Sequence, residues 1–114
     1  MTIENARELV AGAIADIGAN ETIMGCDFVD TVWPISSNDD VVVHRDCPMT
    51  SWDGKYLLVG MYSLSLAEIE AAKSAEQLAG LVRDKREESS VWIRNKIRDN
   101  DSSMRRGHVL QGAA

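Results

Sequence analysis

His44, Cys26 and Cys47 are the residues of this chain with the most versatile chemistry. His44 and Cys47 stand three apart, a spacing that one turn can bring to a common metal ion, and His108 could add a further ligand. A closed zinc site, however, is normally built from two close ligand pairs, and Cys26 stands by itself. As a nucleophile, Cys47 or Cys26 would use His44 as its base. The sequence identifies neither a third group to orient that histidine nor donors for an oxyanion. The eight glycines are scattered, and none matches the P-loop or dinucleotide-binding spacing. No two carboxylates share an apolar context that would push their pKa values apart for acid–base work. The expectation is a chain without catalytic residues, metal or cofactor, with two reduced and buried thiols.

Binding chemistry has more material. Trp33 precedes Pro34, and Trp52 precedes the turn dipeptide Asp53-Gly54, so both indoles fall at the ends of elements. Tryptophan is enriched at binding hot spots, although in a small domain each one can equally serve as the largest block of core. The carboxylates Asp27, Asp30, Asp39, Asp40 and Asp53 lie near them and read as solvated strand edges and turns. An indole ringed by carboxylates suits a basic groove. The partner-binding set is therefore Asp27, Asp30, Trp33, Asp39, Asp40, Trp52 and Asp53.

The charge distribution points the same way. The formal net charge is −6. Residues 1–80 hold 13 acidic residues against Arg7, Arg45, Lys55 and Lys73, whereas residues 81–114 hold eight basic and five acidic residues. An acidic body resists phosphate and favours cationic protein surfaces. Only the last third could dock a polyanion. There, residues 75–82, a charged linker, and then Ser90 to Arg98 loosely resemble a helix-turn-helix unit. That resemblance implies nucleic-acid contacts from Arg94, Asn95, Lys96 and Arg98. It departs from the pattern at Arg83, where a turn glycine is usual, and in the length of the linker from Arg83 to Ser89. The competing reading is an amphipathic helix with Trp92, Ile93 and Ile97 turned inward.

The elements that must position these residues follow from periodicity and caps. At 114 residues and 45% apolar content, the chain has the size of one globular domain. Thr2 caps a helix over about 3–17, with Ile3, Ala6, Val10, Ala13, Ile14 and Ile17 on one face. Residues 21–33 fit either a helix or a strand, and their β-branched and aromatic content favours the strand. Ser36 to Asp40 is a turn, Val41 to Arg45 is a strand that Cys47-Pro48-Met49-Thr50 breaks, and Asp53-Gly54 closes a hairpin to a strand at Tyr56–Tyr62. Ser65 with Glu68 forms a capping box, and Ser74 with Gln77 a second, so residues 66–82 make one helix or two. A further helix covers about 90–99.

The fold class is α+β: an N-terminal helix, a small antiparallel sheet of two to four strands, and two or three C-terminal helices. The domain spans 1–103, with a flexible tail at 104–114. There is no apolar run long enough for a membrane span and no basic-plus-apolar leader at the N-terminus, so a cytoplasmic location is expected. The expected function is noncatalytic binding to a basic protein surface, with a homodimer as a further possibility. A small acidic inhibitor that occupies a nucleic-acid-binding groove, of the anti-CRISPR kind made by phages and mobile elements, is similar in size and charge. A small DNA-binding regulator using residues 75–98 is the alternative.

Overall fold

The structure, a computed structural model, describes residues 1–35, 39–50 and 57–105, with side chains described over 1–35, 39–47 and 60–98. Helix α1 (Ile3–Ile17) begins where the sequence places it: the Thr2 hydroxyl accepts from the Asn5 amide at 3.1 Å. Ala6, Val10, Ala13 and Ile14 form its buried stripe.

Residues 21–33 fold as the extended reading requires, but as two strands. β1 (Asn20–Ile23) and β2 (Cys26–Val32) pair antiparallel around Met24-Gly25. Both turn residues have positive φ, 51° and 82°, as a type I′ turn demands. Glycine accepts that geometry freely, whereas methionine is strained in it.

β3 (Asp40–Thr50) corrects the expected break at Cys47-Pro48-Met49-Thr50. The strand runs through the proline because the register slips between Cys47 and Thr50, and a proline without an N–H is tolerated at such an irregularity. β4 (Leu57–Ser65) completes an antiparallel sheet of order β1-β2-β3-β4. The expected hairpin at Asp53-Gly54, with Trp52, and part of the turn at Ser36 to Asp40 lie outside the described residues.

The capping box at Ser65 and Glu68 is formed in both directions at 3.1 Å and opens α2 (Leu66–Ala71). Ser74 then caps Gln77, and α3 (Ala75–Arg105) begins. Here the sequence reading is corrected. The Arg83–Ser89 linker and the separate helix at 90–99 are parts of one continuous helix of 31 residues. The charged block is rich in good helix formers and contains neither glycine nor proline to stop propagation. Leu78, Val82, Arg86, Ser90, Ile93 and Ile97 recur along it as one buried stripe, with Arg86 at its middle. Without a turn, the premise of the helix-turn-helix resemblance is gone. α3 also runs through Met104 and Arg105, two residues beyond the expected domain limit, and residues 106–114 lie outside the described residues.

Helices cover one face of the sheet. α1, α2 and the first part of α3 enclose a core of Val10, Ile14, Val41, Val43, Leu64, Ile69, Leu78 and Val82. Farther along α3, Ile93 and Ile97 pack with Ile23, Phe28 and Cys47. Gly60 permits this approach: a Cβ there would lie 2.9 Å from the Ile93 Cδ1. The fold is α+β, and among the described residues no helix is long and apolar enough to cross a membrane.

Candidate functional site

Strand alternation divides the polar residues into two populations. On the inner face, Phe28 and Asp30 of β2, Val41, Val43, Arg45 and Cys47 of β3, and Tyr62 and Leu64 of β4 point towards the helices and are buried. Asp30 is 5% exposed and Arg45 fully buried. The Arg45 Nε donates to Asp30 Oδ1 at 2.9 Å, and its Nη1 donates to Ser90 Oγ at 2.9 Å and to the Arg86 carbonyl at 3.3 Å. Its Nη2 reaches Glu21 Oε1.

The second Asp30 oxygen accepts from Arg86 Nε and from the Tyr62 phenol, each at 2.9 Å. Arg86 Nη2 lies 2.8 Å from that same oxygen and also donates to the Gly18 carbonyl at 2.7 Å. Ser90 Oγ donates to Glu21 Oε1 at 2.7 Å. The Arg45 guanidinium lies 5.9 Å from the ring centres of both Phe28 and Tyr62, between the two apolar clusters.

Two guanidinium groups thus face two carboxylates, and every partner is hydrogen-bonded, as burial requires. Burial pulls the Glu21 pKa up, but bonds from Arg45 and Ser90 and the two positive charges outweigh it and hold the carboxyl below its ordinary value. Burial raises the Tyr62 phenol well above its usual range, and the Asp30 charge raises it further. This network ties β1, β2, β3, β4, the end of α1 and α3 to one another. At its centre the Asp30 and Arg45 side chains have no exposed surface. Asp30 is accordingly removed from the partner-binding set: three residues from Asp27 on the same strand, it faces the opposite way and binds Arg86 of the C-terminal helix.

Among the described residues no helix covers the outer face. Asp27, Val29, Thr31 and Trp33 from β2 and its end, Asp40, Val42, His44 and Asp46 from β3, and Met61 and Ser63 from β4 share it by alternation. Val29 is 40%, Trp33 43% and Met61 49% exposed. The Trp33 amide donates to the Val42 carbonyl at 2.8 Å, and its ring stacks on His44 with centroids 4.0 Å apart and planes 5° from parallel. His44 pairs in register with Thr31 on one side and Met61 on the other, and Val29 pairs with Asp46. Asp27 accepts from Thr22 Oγ1 at 2.7 Å, which holds its carboxylate outward.

Among the described residues of this face there is no lysine or arginine. The cations of α3 lie on the far side of the sheet, because α3 packs on the inner face. Asp39 is exposed at the start of β3, where its carbonyl accepts from the Leu66 amide at 3.1 Å. Trp33, Asp27 and Asp40 are therefore brought onto one surface, with Asp39 at its border. Trp52 and Asp53 lie outside the described residues. Val29, Asp46 and Met61 belong to the surface and were missed by sequence reasoning. Their signal was alternation, which assigns faces only once strand and register are known.

The other candidates separate. His44 is on the outer face and Cys47 on the inner, so the sheet itself stands between that base and that thiol. Cys26 and Cys47 are both reduced, and burial raises the Cys26 pKa, with the neighbouring Cys47 adding to the rise. Among the described residues no group of three His, Cys, Asp or Glu side chains converges on a metal position. On α3, Arg94 Nη1 lies 3.2 Å from Glu87 Oε1, Arg98 bonds Asn95, and the Lys96 ammonium sits 5.5 Å above the Trp92 ring. Each of these four residues is thus engaged with a neighbour on the helix itself, Arg94 through an ion pair with Glu87. No protein-family model matches the chain, and neither a curated protein nor a solved structure matches it.

Proposed function

We propose that this is a noncatalytic interaction protein that binds a cationic protein surface through the outer face of its sheet. The reading is carried by one observation: Val29, Trp33 and Met61 are exposed among Asp27, Asp40 and Asp46, with the half-buried His44 stacked on Trp33 and no lysine or arginine among the described residues of that face. A flat apolar centre with a carboxylate rim is the arrangement that gives affinity at the middle and steering at the edge. Arginine is the fitting counterpart. Its guanidinium stacks on an indole and pairs with a carboxylate at once. In its specific form the proposal is an inhibitor whose carboxylates take the place of phosphates in a nucleic-acid-binding groove.

The test uses an arginine-rich peptide that carries apolar residues, titrated into isotope-labelled protein by NMR. Support would be shifts confined to the amides of β2, β3 and β4 with weakening by salt, and loss of binding in the Asp27→Lys, Asp46→Lys double variant. Shifts centred on α3, or a double variant that binds as the parent does, would refute the assignment. Duplex DNA at low salt is the control. Binding to it with a steep salt dependence would favour the polyanion reading instead.

A further inference from the structure

The two edges of the sheet are built differently. β1, at one edge, has four residues, includes Glu21 and ends in the tight turn at Met24-Gly25. Shortness and charge are the usual means of blunting an edge against pairing with another chain. β4, at the other edge, has nine residues, Leu-Leu-Val-Gly-Met-Tyr-Ser-Leu-Ser, without a charge or a proline. It is hydrogen-bonded to β3 from Asp40↔Ser65 to Thr50↔Leu57, and among the described residues no strand pairs with its other side. A long edge without protection is a template for a further strand.

We infer that β4 is the edge through which two copies of this chain pair antiparallel, about a two-fold axis, into one sheet of twice the width. Charge selects a second copy as the occupant. The chain carries −6 overall, so most of its surface repels its own copy, and β4 is a long strand on which two copies meet with no like charges opposed. A cationic partner would gain nothing from this uncharged strand. Antiparallel pairing of a strand with itself is isologous, so it closes after two copies, and the edges left outside are the two short β1 strands. The inward side chains Tyr62 and Leu64 are already buried beneath the helices, so pairing uses the backbone and needs no rearrangement of the core. This inference does not rest on the cationic-partner reading, which concerns the sheet face rather than its edge.

Sedimentation equilibrium of the full chain over a wide concentration range is the test, with hydrogen exchange measured at its two ends. A reversible monomer–dimer equilibrium is expected, with slower exchange of β4 amides at high concentration and no change in β1. Ser63→Lys, at an exposed outward position that the fold tolerates, should leave a monomer at concentrations where the parent is dimeric, whereas Thr22→Lys on β1 should leave the dimer intact. A parent that stays monomeric throughout, a dimer that resists Ser63→Lys, or concentration-dependent protection in β1 or α1 in place of β4 would each overturn the inference. If Ser63→Lys fails to fold, exchange in the parent decides by itself.

Discussion

Asp27 and Asp30 sit on the same strand, three residues apart, and have opposite environments. Asp30 is buried among Arg45, Arg86 and Tyr62, with both oxygens occupied. Asp27 stands in solvent on the outer face, held by a threonine hydroxyl. The same division runs along β3 between Arg45 inside and His44 and Asp46 outside. A strand reverses the direction of its side chains at every residue, so one-residue differences in position become a complete change of environment. The lesson is that charge counts along a chain do not locate a charged surface. The inner face holds two positive and two negative groups in mutual contact, and among the described residues of the outer face no lysine or arginine faces the aspartates.

The largest effect that would sharpen this contrast comes from removing the acceptor at the centre. Asp30→Ala leaves two buried guanidinium groups short of a partner, and a loss of about 3–5 kcal/mol in urea unfolding is expected. Asp27→Ala should stay within about 0.5 kcal/mol of the parent. Equal costs would break the assignment of faces.

Gly60→Ala comes next. It drives a methyl group into Ile93 in a packed core, with an expected loss of about 1–3 kcal/mol, partly restored by Ile93→Val. A neutral Gly60→Ala would mean that α3 does not lie as close to β4 as the inner-face packing requires.

Tyr62→Phe should cost about 1 kcal/mol by removing one hydrogen bond to Asp30. It also carries a pH signature. The folded phenol is held protonated above its ordinary value of 10.0, first by burial and then by the Asp30 charge, so the fold binds more protons than the unfolded chain above that pH. Stability is full below that value and falls as pH rises past it, and Tyr62→Phe should lose this alkaline decline. Glu21 gives the opposite limb. Its folded pKa is lowered from 4.5, so its contribution is present above that pH and is lost as acid titrates the folded carboxylate. Glu21→Gln should flatten that part of the acid unfolding curve. An unchanged acid limb would place Glu21 outside the network.

The smallest change concerns the turn that aligns β1 with β2. Met24→Asn relieves a positive φ that methionine adopts at a cost, so a gain of up to about 1 kcal/mol in the unfolding free energy is expected. A loss would show that the register of the two strands depends on the methionine side chain.

Helix α1, the Ser65–Glu68 capping box, the Ser74 hydroxyl cap on the Gln77 amide and the α+β class were legible because caps and apolar periodicity act over three or four residues. The Met24-Gly25 turn carried a weaker signal, since the methionine disguises a type I′ position. α3 was misread because a block of alternating charges resembles a linker when nothing shows which of its residues turns inward. Arg86 is that residue. Its burial depends on Asp30, 56 positions earlier, meeting it across the core.

Sequence by itself determined helix α1, the capping box that opens α2, the net acidity and the place of Trp33 at the end of a strand, because those depend on neighbouring residues and on composition. Tertiary structure alone decided which aspartates are neutralised and which stand on the outer face, that Trp33 lies flat on His44, and that Arg45 and Arg86 are internal. Each of these depends on strand register and on the approach of α3 to the sheet, and such long-range geometry leaves no short-range mark in the chain.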